Sequence, residues 1–275
     1  MLTLNNLNVL NIIHKFVTNF KLYIIMNKFY LLLAIALPLI FISCGDDKDE
    51  PVTPDTHEHV DLGLPSGTLW ATCNIGADSP EDYGDYFAWG ETATKDTYEW
   101  RNYKWAHWEY DTISDHFYRV LEETWYKYYY MKWTGDGYVT GGDGKMELDP
   151  EDDAAYVKWG SNWRTPTMEQ LQELVAKCEW HWTRRNGVNG YLVTGRNGNS
   201  IFLPAAGGCS IDIYNDGQFA YYWSRTLCSA KKLAIEAADQ GEAYILFFNS
   251  FGKQEIWYDS RYTGIPVRAV RASRK

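Results

Sequence analysis

The chain has 275 residues, a formal charge of −10 and a 16% share of aromatic residues, with 13 Trp, 21 Tyr and 11 Phe. That length can bury one sizeable core, and the acidic balance excludes nucleic acid as a partner and excludes charge-driven adhesion to anionic headgroups. Most of the large rings are expected in the core, and those left exposed form the usual platform for sugars and proteins, because they bury much area at low entropy cost.

Residues 1–25 mix polar and apolar side chains without a helical period, which suggests that the functional start is Met26. Lys28 then supplies a positive n-region, and residues 29–42 form an uncharged apolar run of 14. Such a run matches a signal-peptide core and falls short of the ~20 residues a membrane-spanning helix needs. Ser43-Cys44 resembles a bacterial lipobox, which implies that Cys44 becomes the lipidated first residue. The acidic run Asp46, Asp47, Asp49, Glu50 resembles the surface-export signal of Bacteroidetes lipoproteins. The alternative is an ordinary cleaved signal peptide with Cys44 incidental. Residues 1–43 are therefore set aside as targeting sequence. Residues 44–59, charged and Pro-containing, read as a flexible tether whose only membrane contact is the lipid. Within it, His57-Glu58-His59 reads as solvated rather than metal-binding.

Residues 60–71, VDLGLPSGTLWA, read as two short strands around a Pro65-Ser66-Gly67 turn. Ser79-Pro80-Glu81 looks like a helix start, cut short by Gly84. Residues 101–145 are the least regular part and read as an insertion. Within them 114–130 places Phe117, Leu121, Trp125 and Tyr128 on one helical face. Asp149-Pro150-Glu151 opens a helix that Gly160 closes. Thr167 with Gln170 fits a capping box, followed by a stripe of Met168, Leu171, Leu174, Val175 and Cys178. Beyond Cys178 the pattern turns to β. Residues 191–194 and 200–203 flank GRNGN as a hairpin, and strands are expected at 219–224, 243–248, 254–258 and 266–270. Helices first and strands after indicate an α+β fold with a mostly antiparallel sheet, in one domain over residues 60–275.

No HExxH, GxSxG or P-loop lysine pattern is present. His107, His116 and His181 sit beside or near Trp without a patterned partner. Carboxylate pairs such as Asp82 with Asp85 or Asp152 with Asp153 are too common to mark a glycosidase. No cofactor is expected. Asp136, Asp143, Glu147, Asp149 and Asp152 could offer oxygens to calcium, with Asp136, Asp143 and Asp149 the nominal ligands. Their spacing misses the EF-hand pattern, and a solvated acidic loop with helix N-terminal charges explains them as well. Cys73, Cys178, Cys209 and Cys228 permit two disulfides in any of three pairings, or free thiols.

Six strings fall in order: VDLGLPSGTLWATCNIGA, YGDYFAWGE, DDAAYVKWGSNWRTPTMEQLQEL, NGYLVTGRNGNSIFLPAAGG, YYWSRT and GIPVRAVR. Together they resemble the Fibrobacter succinogenes major paralogous domain family, common in surface lipoproteins of gut Bacteroidetes, over roughly residues 60–271. That family is similar in pattern to the C-type-lectin-like fold shared with formylglycine-generating enzymes. The resemblance implies paired N- and C-terminal strands and long loops that carry any ligand site. The chain departs from calcium-dependent lectins, which carry Glu-Pro-Asn or Gln-Pro-Asp followed by Trp-Asn-Asp. It also departs from formylglycine-generating enzymes, since Cys209 and Cys228 lack the matching context. The reading is thus a non-catalytic, lipid-anchored protein of the outer membrane, exposed at the cell surface, that binds a glycan or protein ligand. The alternative is an assembly subunit of a surface complex, with an enzyme third. Candidate ligand residues are Tyr221, Tyr222, Trp223 and Arg225, with Asp259, Arg261 and Tyr262 on a neighbouring loop. Strand alternation in YYWS directs two of its four side chains inward.

Overall fold

The computed structural model describes residues 57–111, 125–130, 143–228 and 241–272, with backbone alone over 107–111 and 125–130. The expected targeting segment, Cys44, most of the tether, residues 114–124 and Asp136 lie outside the described residues. Among the described residues, strands β1–β15 and helices α1 and α2 follow one another along the chain, and every named strand pair is antiparallel. The class is α+β, dominated by antiparallel sheet with few short helices, and no described helix is long and apolar enough to cross a membrane.

β1 (His59–Asp61) and β2 (Thr68–Ala71) flank the expected turn, which the Gly67 N–H closes onto the Leu64 carbonyl at 2.9 Å. β15 (Val270–Ala272) pairs with the other side of β2, so the two ends of the domain share the sheet β1-β2-β15. Helix α1 (Ala154–Trp159) is capped by Asp153 and closed at Gly160. Helix α2 (Met168–Lys177) begins with the Thr167–Gln170 capping box and buries Leu171 and Leu174. β6 (Glu179–Arg185), β7 (Val188–Thr194) and β8 (Ser200–Pro204) form a second sheet. Its first turn is Asn186-Gly187, both at positive φ (47° and 87°), as a two-residue hairpin loop demands.

The third sheet sets the position of the site. β11 (Phe219–Leu227), β12 (Glu242–Asn249) and β13 (Gln254–Ser260) pair in that order. Successive side chains of a strand point to opposite faces, and here two separate cores cover β11 and β12. Trp223, Ala243 and Ile245 pack on one side with Phe87, Trp89 and Trp163. Tyr222, Leu246 and Phe248 pack on the other with Trp70, Leu171 and Tyr191. Shorter ladders join β3 (Tyr86–Phe87) to β14 (Ile265–Pro266), β4 (Ala106–Asp111) to β5 (Trp125–Tyr130) and β9 (Gly208–Cys209) to β10 (Ile213–Tyr214).

Polar clamps fasten the motifs to one another. Arg268, 1% exposed, donates Nε to Asn74 Oδ1 (2.8 Å), Nη1 to the carbonyls of Ala71 (3.1 Å) and Thr72 (2.9 Å), and Nη2 to that of Phe202 (3.1 Å). Asp153, fully buried, accepts from the Ala155 and Thr165 N–H groups, from Thr165 Oγ1 at 2.6 Å and from Arg164 Nε at 2.7 Å. The Ser66 N–H and hydroxyl both donate to the Glu173 carboxylate, tying the first turn to α2.

Two local expectations are corrected. Residues 79–82 form one turn, not a helix. The Asp82 N–H bonds the Ser79 carbonyl at 3.2 Å while the Asp82 carboxylate takes the Ser79 N–H at 3.0 Å, a local closure that competes with helix propagation. Residues 125–130 are strand β5, where the helical spacing of Trp125 and Tyr128 is overridden by the β preference of WYKYYY and its pairing with β4.

Candidate ligand groove on the third sheet

Register brings Tyr221 opposite Phe247 and Phe247 opposite Glu255 across the three strands of the third sheet. The next row is Trp223, Ile245 and Trp257, and Ala243 stands opposite Asp259. The core covers this face at Trp223 and Ile245 and stops short of its rim. There it leaves a groove of about 410 Å³ lined by Tyr221, Phe247, Lys253, Trp257, Tyr258 and Asp259 among others. The volume lies within the range of ligand pockets, roughly 300–1,000 Å³.

The floor is aromatic. The Tyr221 and Phe247 rings lie 5.7 Å apart, and Tyr214 lies 6.2 Å from Tyr221. Trp257 is 49% exposed and stacks on Tyr258, with ring centroids 5.1 Å apart and 8° between the ring planes. The Lys253 ammonium stands 5.7 Å from both the Phe247 and Trp257 centroids and is paired with Glu255. The polar end of the groove is Asp259. Its Oδ1 accepts the Ser260 N–H (2.7 Å) and the Thr263 hydroxyl (3.1 Å), while Oδ2 has no hydrogen-bond partner among the described residues. Burial pushes the Asp259 carboxyl above its ordinary range, and the two bonds to Oδ1 oppose that shift. The groove therefore offers stacking faces, an ammonium and a free carboxylate oxygen.

Of the residues singled out in the sequence, Tyr221 and Asp259 meet here. The others do not. Trp223 is 2% exposed and donates Nε1 to the Phe87 carbonyl at 2.8 Å, so it is core rather than platform. Tyr222 is equally buried and bonds the Pro204 carbonyl. Arg261 is fully buried on Trp89 and Tyr103, with Nε 3.0 Å from the Tyr103 hydroxyl. Arg225 ties Glu147 (3.0 Å) to the Thr165 carbonyl (3.1 Å). Tyr262 packs with Tyr86, Tyr98 and Tyr103. Sequence reading missed Phe247, Lys253, Glu255 and Trp257. Alternation in QEIWYDS, which puts Glu255, Trp257 and Asp259 on one face, was the available signal.

The metal candidates also change. Asp143 accepts the Lys145 N–H, and Asp149 is held by the Lys145 ammonium at 2.7 and 2.9 Å. Asp149, Glu151 and Asp152 can bring three carboxylate oxygens within 4.8 Å of one another, enough to hold an ion. The lysine on Asp149, and Lys104 at 3.7 Å from Asp152, compete for those oxygens. His57, half-buried, stacks on Trp159 at 3.9 Å, and His59 meets the Trp163 edge while remaining exposed. None of the three disulfide pairings forms, since Cys73, Cys178 and Cys209 are free thiols. Burial, with Glu173 nearby, pushes Cys178 up to about 11, and burial with Asp212 raises Cys209, so both resist forming thiolate.

No family model, no curated protein and no solved structure matches this chain.

Proposed function

We propose that the chain is a non-catalytic glycan-binding lipoprotein of the outer-membrane surface, a member of the Fibrobacter succinogenes major paralogous domain family with a C-type-lectin-like fold, anchored through Cys44. The observation that carries the binding reading is the groove of Tyr221, Phe247, Trp257 and Asp259, which sets an exposed indole in one lining with a carboxylate that has one oxygen free of hydrogen bonds among the described residues. A sugar presents an apolar ring face and a fringe of hydroxyls. The exposed Trp257 ring suits the first, and Asp259 Oδ2 with Lys253 suits the second. The pairing of β2 with β15 supports the fold assignment, since the family resemblance implies joined terminal strands.

One feature favours binding over catalysis. The two perturbed thiols are shifted away from the nucleophilic form.

The test is a glycan array probed with the full-length protein in detergent, with calcium and with EDTA. Saturable binding to one glycan class that falls at least tenfold in Trp257→Ala, with an unchanged melting temperature, supports the reading; a tenfold loss corresponds to about 1.4 kcal/mol. Binding to no sugar in either buffer rejects it. Loss of binding in EDTA alone shows a cation requirement, for which Asp149, Glu151 and Asp152 are the candidate ligands among the described residues.

A further inference from the structure

The third sheet ends at β13, and the ladder parity shows which of its backbone groups are spare. The Asn249 N–H bonds the Lys253 carbonyl at 3.1 Å, and the Arg261 N–H bonds the Gly241 carbonyl at 2.7 Å. Hydrogen-bonded pairs alternate along an antiparallel ladder, so residues 255, 257 and 259 bond β12. Gln254, Ile256, Tyr258 and Ser260 turn their N–H and C=O groups the other way. Asp259 Oδ1 takes the Ser260 N–H, and the Thr263 N–H takes the Ser260 carbonyl at 2.9 Å, which closes that end of the edge. The outward main-chain groups of Gln254, Ile256 and Tyr258 meet no partner among the described residues. An unpaired edge of this kind is a template for an added strand, and proteins normally blunt it.

The side chains beside the edge say what would fit. Glu255, Trp257 and Asp259 share the groove face, and an added strand would oppose them in close pairs, about 4.5 Å between Cα atoms. A second copy paired antiparallel about Trp257 would set Glu255 against Asp259 twice, a like-charge juxtaposition that opposes self-pairing. A strand with Lys or Arg two positions either side of an apolar residue instead meets both carboxylates and the indole, and the chain's charge of −10 attracts it over distance. We propose that the outer edge of β13, residues 254–258, takes an extended basic segment of a partner protein as an added strand. The added strand rests on the backbone of β13 and its basic character on Glu255, Trp257 and Asp259, and neither requires the groove to bind sugar.

The probe is a blocked synthetic heptapeptide, Thr-Lys-Thr-Val-Thr-Lys-Thr, titrated into isotope-labelled full-length protein and followed by NMR. Binding is expected to slow amide exchange at Ile256 and Tyr258, and replacing both peptide lysines by Glu should weaken binding at least tenfold. Ile256→Pro removes an outward N–H and no ladder bond to β12, while Ile256→Ala removes the same side chain and keeps the N–H. The Pro variant should bind at least tenfold more weakly than the Ala variant, and Tyr258→Pro against Tyr258→Ala serves where Ile256→Pro fails to fold. Equal binding by the Pro and Ala variants, equal binding of the Lys and Glu peptides, or unchanged exchange at both amides overturns the proposal. So does self-association through β13 in the absence of peptide. Glycan binding retained by Ile256→Ala shows that the two readings stand or fall separately.

Discussion

Asp259 carries opposite consequences for stability and for binding. Burial raises its carboxyl above the ordinary 3.8, so the folded state holds that proton more tightly than the unfolded chain does. Its contribution to stability is greatest below the ordinary value and falls as pH rises through the window up to the raised one. A ligand that uses ionised Oδ2 as an acceptor behaves the other way, and its affinity should fall as pH is lowered through that window. Asp259→Asn should flatten both profiles, measured by thermal melts and by glycan titration across acidic pH. Arg268 makes a different kind of prediction. Burial pulls its ionisation down, yet its four hydrogen bonds described above all go to neutral oxygens, three of them main-chain carbonyls. Arg268→Ala strands those carbonyls in the core and should cost at least about 3 kcal/mol, seen as a lowered denaturant midpoint.

Among the elements, those specified by adjacent residues were legible in the sequence. The capping box of α2, the Pro65-Ser66-Gly67 turn and the GRNGN hairpin each declare themselves within a few positions, and each is present. Thr167→Ala should accordingly cost about 1 kcal/mol in a chemical melt, with binding unaffected. What the sequence could not reveal depends on partners far along the chain. YYWSRT reads as one strand with an inner and an outer face, but a second core built from Phe87, Trp89 and Trp163 covers the face that carries Trp223. β6 went unread although Asn186-Gly187 marks its turn, because Trp180 and Trp182 alternate with the polar Glu179, His181 and Thr183, and no local signal fixes which face is buried. The site was half legible for the same reason. Tyr221 and Asp259 are visible as types, whereas the exposure of Trp257 follows from where the core stops.

At the scale of the whole molecule, the strings that carry the family resemblance fold into the frame. Arg268, Asp153, Trp70, Trp89 and Trp163 are buried, and Arg268 bonds the first string through Asn74, while Phe247, Lys253, Glu255 and Trp257 lie outside those strings. Apart from Tyr221 of YYWSRT, which lines the groove, scaffold and recognition are thus written in different residues. Because the frame forms without the three possible disulfide pairings, excess reductant should leave the melting temperature unchanged. Replacing Cys44 by Ser should release the protein from the membrane fraction.

The three-stranded sheet at the chain ends also decides how such a domain bears load. Drag on a ligand seated at β13, with the chain held from its N-terminal side, pulls on β1, whose ladder is only the pairs His59–Ala71, Val60–Trp70 and Asp61–Leu69. β2 keeps β15 when β1 peels away. Peeling β1 releases about 10 Å of chain at the cost of the Val60 packing and of the Asn197 and Asn199 bonds to the Asp61 carbonyl, while the β2–β15 pairing behind it persists.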